Sequence, residues 1–424
     1  MKKKFYCLCM GALLGVSSLE AKVTLPSIIS DNMVLQARTK VCIWGKANPG
    51  ENISVIPSWN KQNVSSTAAG EDGRWKIYVT TPEASENHFL TIKGENVIVI
   101  RNVLVGEVWL CTGQSNMEFP VAHDPKVKWK TGMSDEMEEM KDADYPEIRL
   151  FHVEHQLAHE KEQDDCIGKW VVYSPENIRD FSAVGFVFGK KLYNELRVPV
   201  GLIQSTWGGT HAESWTSMEV MKDDTLYSDV LQQFALKNIK RNKDYCKVPS
   251  TLWNGMIAPI AGYTVRGNIW YQGESNVGRH ETYAERLADM VQLWRKEWGL
   301  GELPFYFAEI APYAYGGTQQ EKAAYLREAQ FRAQSLIPNS GMISTNDLVE
   351  HYEMYNIHPR NKTKVGQRLS YLALNLTYGL KQIHCFGPQY KSWTAKGSEA
   401  WVSFDHLEMG ICRNYDLRGF EVAG

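Results

Sequence analysis

The sequence of 424 residues lacks several features that mark other classes of protein. Lysine and arginine number 46 against 49 aspartates and glutamates, so the net charge of −3 leaves no basic footprint for nucleic acid. None of the eight cysteines forms a Cys-x-x-Cys pair, and we expect no metal site and no other cofactor. No internal repeat or low-complexity tract is present. Hydrophobic residues at 43% and charged residues at 22% are typical of a soluble globular chain.

The first 21 residues have the composition of a secretory signal peptide. Lysines at positions 2–4 precede an apolar stretch over 5–16, and small residues lead to Ala21. The apolar stretch is too short to cross a membrane as a helix, and no later segment is apolar enough to do so. We therefore expect residues 1–21 to be removed and the mature protein to be exported, to the periplasm or the extracellular space, without membrane insertion.

Residues 22–104 are typical of a β domain. Short runs of β-forming residues alternate with turn formers such as Asn48-Pro49-Gly50 and Asp72-Gly73. This spacing predicts a small N-terminal β-sandwich. The runs are Val41–Trp44, Ile53–Ile56, Trp75–Val79 and Phe89–Ile92.

From residue 105 to about 380 strands and helices alternate. The alternation predicts an α/β domain, a parallel sheet with helices on both faces. Helices are expected over 283–298 and 319–336 and before Gly379, and a polar surface excursion over 120–182. The predicted strands, in addition to Val108–Cys111, are Ile148–Val153, Val200–Thr206, Val265–Gln272, Phe305–Ile310 and Met342–Asn346.

Residues 381–424 return to a β pattern. Trp401–Phe404 and Leu417–Val422 are strand-like, but about forty residues are too few for an independent sandwich. We expect them to pack as strands beside the N-terminal β domain or on the edge of the α/β domain, or to begin a truncated β region.

One apolar run ends on a serine flanked by small polar residues. Val108–Cys111 leads into Gly113-Gln114-Ser115-Asn116, which places a hydroxyl where open α/β sheets have their active sites. A serine nucleophile needs a base, usually histidine, to take its proton. The alternative is that Ser115 only caps the next helix. The stretch is not the Gly-x-Ser-x-Gly elbow, because position 117 is methionine.

Three further polar clusters follow predicted strands or precede the last helix. Gly208-Gly209 offers backbone N–H groups of the kind that an oxyanion hole uses, although paired glycines also form simple turns. Gln272–Asn276 places amides and a carboxylate at the end of an apolar strand. His358 precedes Pro359, which restricts the backbone beside the imidazole.

Together these blocks resemble the SGNH hydrolase superfamily, and within it the sialate O-acetylesterases and related carbohydrate esterases. The matching motifs are Gly-Gln-Ser-Asn-Met at 113–117, Gly-Gly-Thr-x-x-Glu-x-Trp at 208–215, Tyr-Gln-Gly-Glu-Ser-Asn at 271–276 and Ile-His-Pro at 357–359. The resemblance covers nearly the whole mature chain. It implies a three-layer α/β/α domain and a secreted, metal-independent serine esterase that removes acetyl groups from sugars, with an O-acetylated sugar as its partner molecule.

The resemblance also implies roles for individual residues. Ser115 is the expected nucleophile and His358 the expected base, with the oxyanion held by the N–H groups of Ser115 and of Gly208 or Gly209 and by the side chain of Gln272. Many relatives carry an aspartate three residues before the histidine, but position 355 here is tyrosine. The orienting acid is therefore open: Asp347 is the first candidate, Glu350, Glu353 and Glu274 follow, and a backbone carbonyl in a dyad is the last.

Four residues near these motifs are candidates for binding the substrate: Asn116, Glu274, Asn276 and Arg279. A sialic acid carries a carboxylate, which an arginine binds in bidentate fashion, and Arg279 lies three residues after Asn276. The alternative for Arg279 is an ion pair with Glu281 or with another acidic residue at the start of a helix. Two other functions stay open, an esterase acting on acetylated xylan or pectin and an inactive carbohydrate-binding protein.

Overall fold

Strands and helices follow the apolar runs of the sequence closely. The computed structural model describes residues 22–62, 64–141, 145–235, 245–316, 319–407 and 410. Its strands are β1 Val34–Gln36, β2 Lys40–Lys46, β3 Asn52–Pro57, β4 Ser65–Ala68, β5 Arg74–Thr80, β6 Ser85–Lys93, β7 Val97–Gly113, β8 Ile148–His152, β9 Trp170–Val172, β10 Val200–Thr206, β11 Gly267–Tyr271, β12 Phe305–Ala308, β13 Ser340–Ile343, β14 Gln389–Lys396 and β15 Glu399–Asp405. Its helices are α1 Ser115–Glu118, α2 Glu136–Lys141, α3 Pro175–Ile178, α4 Ala183–Leu196, α5 Met218–Met221, α6 Ser228–Ala235, α7 Tyr283–Trp298, α8 Gln319–Leu336 and α9 Lys362–Leu372.

The N-terminal strands form two sheets with a common core. β2 and β5 pair antiparallel, while β3, β4, β6 and the first half of β7 form the second sheet, with β1 added parallel to β7. Side chains alternate along β5, so that Trp75, Ile77 and Val79 are buried. These residues share one apolar cluster with Val55 and Ile92 of the other sheet, as the alternating pattern predicts.

The larger sheet is parallel except at one edge. Its strand order is β13-β12-β11-β7-β10-β8-β9, in which only β9 runs antiparallel to its neighbour. Successive side chains of β7 face opposite layers: Leu110 belongs to the core shared with Trp294 of α7, and Trp109 to the core shared with Phe188 of α4. The predicted α/β fold class with helices on both faces of a parallel sheet is therefore confirmed.

Strand β7 belongs to both sheets. Its first half pairs with β6, and its second half lies between β10 and β11. The boundary predicted after residue 104 falls inside this strand. At the crossing, Gly106 lies against the backbone of Pro199, where a Cβ atom would come within 2.0 Å of the Pro199 carbonyl oxygen. The absence of a side chain at 106 therefore lets β7 approach the start of β10.

The helix α4 had no counterpart among the predicted helices. Ser182 caps it, since its hydroxyl accepts a hydrogen bond of 3.0 Å from the N–H of Gly185. α4 packs against α9 beneath the sheet and buries Phe186, Phe188 and Leu192.

The C-terminal β segment forms a small sheet of its own. β14 and β15 pair with each other, and neither pairs with another strand of the described residues. The β character expected for this segment is present, while its packing beside the N-terminal β domain or on the edge of the α/β domain stays a prediction. The run 417–422 and the predicted signal peptide lie outside the described residues.

Gly106→Ala is expected to destabilise the fold, because the added methyl group meets a backbone carbonyl that cannot rotate away. Overpacking of this kind costs about 1–3 kcal/mol. Gly387→Ala is the matched control, since a Cβ at 387 has no neighbour within 4 Å. Thermal unfolding of both variants checks this: equal melting temperatures would contradict the close contact at 106.

Candidate active site

The serine turn at the end of β7 is held by the end of β11. Gly113 adopts φ 137°, and a Cβ there would lie 2.2 Å from the carbonyl oxygen of Tyr271, so the position requires glycine. The next residue, Gln114, donates its N–H to the same carbonyl at 3.0 Å. Its side-chain oxygen accepts from the N–H of Gly273 at 3.3 Å. These contacts place Ser115 at the first position of α1, at the carboxyl edge of the sheet.

The histidine loop before α9 brings the imidazole to this serine. Nε2 of His358 lies 2.8 Å from Oγ of Ser115. Asn356 fixes the loop, since its Oδ1 accepts from the N–H of His358 at 3.0 Å and its Nδ2 donates to the His358 carbonyl at 2.8 Å. The ring of Trp129 packs against the imidazole with centroids 4.8 Å apart. The two residues predicted as nucleophile and base are thus in hydrogen-bond contact, although they are 243 positions apart.

The environment keeps this imidazole neutral. Burial lowers the pKa of His358 to about 4, and the positive charge of Lys362 adds to the effect. A neutral imidazole can accept the proton of a serine hydroxyl, as a general base must.

The candidate acids lie elsewhere. Asp347 binds Arg368 through both carboxylate oxygens, at 2.7 and 2.6 Å, on the exposed side of α9. Burial opposes ionisation of Asp347, but the hydrogen bonds and charge of Arg368 outweigh it and lower its pKa. Glu353 accepts from the N–H of Arg360 at 3.1 Å, and Glu350 is exposed.

No hydrogen bond joins a carboxylate to the imidazole of His358 within the described ranges. The structure therefore does not place Asp347 as the orienting acid, because its carboxylate is held by Arg368. Ser115 and His358 are therefore paired without a carboxylate partner among the described residues, and Asn356 fixes the histidine loop.

The predicted oxyanion donors are backbone N–H groups near Ser115 and the side chain of Gln272, and the two differ in their position relative to the serine. Gly208 lies against the nucleophile, since a Cβ at 208 would be 3.2 Å from the Cβ of Ser115. Its N–H donates to Oε2 of Glu118 at 2.6 Å. Gly209 forms the following turn with φ 75°. The first N–H groups of α1 lack helical acceptors, because the bonds to the Gln114 carbonyl begin only with Met117.

Gln272 does not face the serine. Its fully buried amide donates to the carbonyl of Thr210 at 3.0 Å and to Oδ1 of Asn276 at 2.7 Å, and its oxygen accepts from the hydroxyl of Tyr283 at 2.8 Å. Both amide protons are therefore committed to the protein. Gln272 holds the loops after β10 and β11 together instead of stabilising an oxyanion.

The predicted substrate residues are likewise bound to protein groups. Asn276 accepts from the N–H of Ala212 at 3.1 Å and donates to Glu213 at 2.9 Å. Arg279 lies 3.8 Å from Glu213 and 3.9 Å from Asp229, in a cluster with Arg286. Glu213 and Asp229 each stand in the first turn of a short helix, so Arg279 pairs with helix-start acids other than Glu281 among the described residues.

Asn116 and Glu274 form a second buried network. Nδ2 of Asn116 donates to Glu274 at 2.5 Å and to the carbonyl of Ile357 at 3.0 Å. Oδ1 of Asn116 accepts from Nζ of Lys362 at 2.6 Å. Burial raises the pKa of Glu274. These side chains link the serine turn to the histidine loop. Lys362 could not be predicted as part of this network, because a lysine is rarely fully buried.

Sequence reasoning also missed the groups around the open side of the serine. Glu118 is 5% exposed and lies 3.0 Å from Nζ of Lys130, which is partly exposed above it. The rings of His155 and Trp207 stack at 3.9 Å with an interplanar angle of 7°. Only Trp207 carried a usable signal, as an aromatic residue directly before Gly208.

The structure contains no cluster of three or more potential metal ligands, and no helix long and apolar enough to span a bilayer, within the residues it describes.

Comparison with known proteins connects this geometry to a family. The family described as "Carbohydrate esterase, sialic acid-specific acetylesterase" matches residues 105–375. The sialate O-acetylesterases of Mus musculus and Homo sapiens are 26% and 29% identical over 94% of this chain, and the alignments cover 81% and 79% of those proteins. The crystal structure of a carbohydrate acetylesterase from Xanthomonas citri has a TM-score of 0.78 and 30% identity, covering 91% of this chain and 82% of that one. Since the family match spans more than half of the sequence, the chain belongs to the sialic acid-specific acetylesterase family of carbohydrate esterases and is a carboxylic ester hydrolase.

Proposed function

We propose that the protein is an exported serine esterase that removes acetyl groups from sugar hydroxyls, with O-acetylated sialic acids as preferred substrates. The observation that carries the mechanism is the 2.8 Å contact between Oγ of Ser115 and Nε2 of His358 at the carboxyl edge of the sheet. The sequence of residues 1–21 supports export. The same contact argues against an inactive carbohydrate-binding protein.

In the acylation step, Oγ of Ser115 attacks the acetyl carbonyl carbon while His358 takes the hydroxyl proton. The carbonyl oxygen becomes an oxyanion beside the first N–H groups of α1. Gly208 can add its N–H once Glu118 turns its carboxylate fully towards Lys130. Collapse of the intermediate breaks the bond to the sugar oxygen, which leaves with the proton held on His358.

In the deacylation step, water attacks the acetyl-serine and His358 again accepts a proton. The second intermediate releases acetate, and the proton returns to Oγ of Ser115. Both half-reactions need a neutral imidazole at the start, which the buried position of His358 provides.

The sugar side of the site has aromatic and charged groups. Trp129 and Trp207 flank the serine turn, where aromatic faces can pack on a sugar ring. Lys130 pairs with Glu118 of α1 but is partly exposed beside this turn, whereas Arg279 lies between Glu213 and Asp229. We therefore assign to Lys130 the role of binding the sialic acid carboxylate, in place of Arg279.

The second candidate function is an acetylesterase for other carbohydrates, such as acetylated xylan. The likeness to the carbohydrate acetylesterase from Xanthomonas citri favours it, because that enzyme is 30% identical over most of both chains. The chemistry at Ser115 and His358 is the same in both cases.

The pH dependence of catalysis should reflect the buried histidine. Protonation of His358 removes the base, so activity is present above its pKa and lost below it. With that pKa near 4, in place of the ordinary value of 6.5, kcat/KM for p-nitrophenyl acetate is expected to stay level from neutral pH down to about pH 5. A fall of kcat/KM centred at the ordinary histidine value would contradict the neutral, desolvated imidazole.

Asp347→Asn should leave most of the activity, since the carboxylate binds Arg368 and not the imidazole. We expect kcat to fall less than about tenfold, against a loss on the order of 10²- to 10⁴-fold for His358→Ala. Arg368→Gln, which removes the partner of Asp347, is the matched control and should behave like Asp347→Asn. Equal losses in Asp347→Asn and His358→Ala would restore Asp347 as the orienting acid.

Acetate release from O-acetylated N-acetylneuraminic acid, acetylated xylan and p-nitrophenyl acetate tests the proposed substrate. Sialate should give the highest kcat/KM among the sugars, and Ser115→Ala should lose activity on all three substrates. Lys130→Met should lower turnover of the sialate about tenfold more than that of p-nitrophenyl acetate, which has no carboxylate.

Lys128→Met is the matched control, because Lys128 is exposed two residues before Lys130. Preference for xylan would support the second candidate function. Equal losses on all substrates in Lys130→Met would show that Lys130 only holds Glu118.

A further inference from the structure

Lys362 is a fully buried cation next to the proposed dyad. It is the first residue of α9, four positions after His358, and its side chain has no exposed surface. Its ammonium group lies 4.8 Å from the ring centre of Phe119 and 5.5 Å from that of Tyr271. Burying an ammonium group is costly unless other groups stabilise its charge. A lysine retained here points to a role besides packing.

The ammonium group is connected to both halves of the site through Asn116. Nζ of Lys362 donates to Oδ1 of Asn116 at 2.6 Å, and Nδ2 of Asn116 donates to Oε1 of Glu274 at 2.5 Å. The same Nδ2 donates to the carbonyl of Ile357 at 3.0 Å. Asn116, which follows Ser115, is thus bonded to Ile357, which precedes His358. The two charged ends, Lys362 and Glu274, come from different loops at the carboxyl edge.

We propose that Lys362 and Glu274 are a pair of positioning residues that, through Asn116, hold Ser115 and His358 in contact, and that Lys362 also makes the electrostatic potential at the imidazole more positive. The proposal rests on the proposed function, since it assumes that Ser115 and His358 carry the reaction. Neither residue touches the reacting atoms.

The charges around this pair define the expected effects. Lys362 lowers the pKa of His358, whose other ring neighbours, Trp129 and Phe119, are uncharged. Burial lowers the pKa of Lys362 itself to about 7, while Glu274 and Glu353 oppose that change. The charge of Arg327 of α8 lowers the pKa of Glu274 and so opposes the effect of burial.

Oε2 of Glu274 is buried and has no hydrogen-bond partner among the described residues. Of this pair, Lys362 is the member whose charge acts on the imidazole of His358, while burial favours the neutral form of Glu274.

The acid limb of kcat/KM for p-nitrophenyl acetate separates this role from simple packing. Lys362→Met removes a positive charge near the imidazole, so its acid limb should move to higher pH by roughly one unit. Glu274→Gln keeps an oxygen that can accept from Asn116 and should leave the limb in place, because burial favours the neutral form of Glu274 at the pH of the limb. Loss of alignment should also lower kcat in Lys362→Met by on the order of 10- to 100-fold. Lys364→Met is the matched control, an exposed lysine on the same helix, and should change neither quantity.

The outcomes are decisive in each direction. An acid limb or a kcat that is unchanged in folded Lys362→Met overturns the proposal. If Lys362→Met does not fold, Glu274→Leu decides, because it removes the acceptor for Asn116, and an unchanged kcat in that variant overturns the proposal. Ser115→Ala separates this proposal from the proposed function. Activity in Ser115→Ala would refute the proposed function. If Ser115→Ala is inactive but the acid limb of Lys362→Met is unmoved, only the role of Lys362 and Glu274 is refuted.

Discussion

The close approach of two backbones at the ends of β7 and β11 is the constraint on which the site depends. Gly113 can lie against the Tyr271 carbonyl only because it has no side chain, and Gln114 then donates its N–H to that same carbonyl. The direction of α1, and with it the place of Ser115, follows from this contact. Ser115 is thus positioned by main-chain atoms of the neighbouring strand before any substrate arrives, which is the kind of preorganisation that catalysis favours.

The sequence predicted the central strands well, because parallel strands buried on both faces are continuous apolar runs with polar ends. β10 has the predicted bounds, and the predicted helix over 283–298 coincides with α7. α4 was not predicted, because its sequence lacks the pattern of a helix with one exposed face. It contains Gly185 and Gly189 and buries most of its residues, so it shows no alternation of polar and apolar positions. Gly189 is required by packing, since a Cβ there would lie 2.5 Å from Leu202.

Site residues were predictable where a residue stands at a clear feature of the sequence, such as a strand end or a proline. They were not predictable where their role depends on which group they hydrogen-bond. Ser115 and His358 stand at a strand end and beside a proline, and both lie where the pattern indicated. Gln272 and Asn276 stand at an equally suitable edge, yet they bind each other. Buried amides must find hydrogen-bond partners, and sequence does not say whether the partner is substrate or protein. The pairing of Asp347 with Arg368, on a helix that begins fifteen residues later, is hidden for the same reason.

The continuity of β7 also bears on how a glycan reaches the enzyme. Many carbohydrate-active enzymes carry accessory modules on flexible tethers, whose independent motion raises the local concentration of substrate. Here the N-terminal β region and the catalytic edge share one strand that is hydrogen-bonded along both parts, to β6 and then to β10 and β11. The two regions are therefore joined by a paired strand and not by a linker, so we do not expect the N-terminal β region to behave as a freely tethered module.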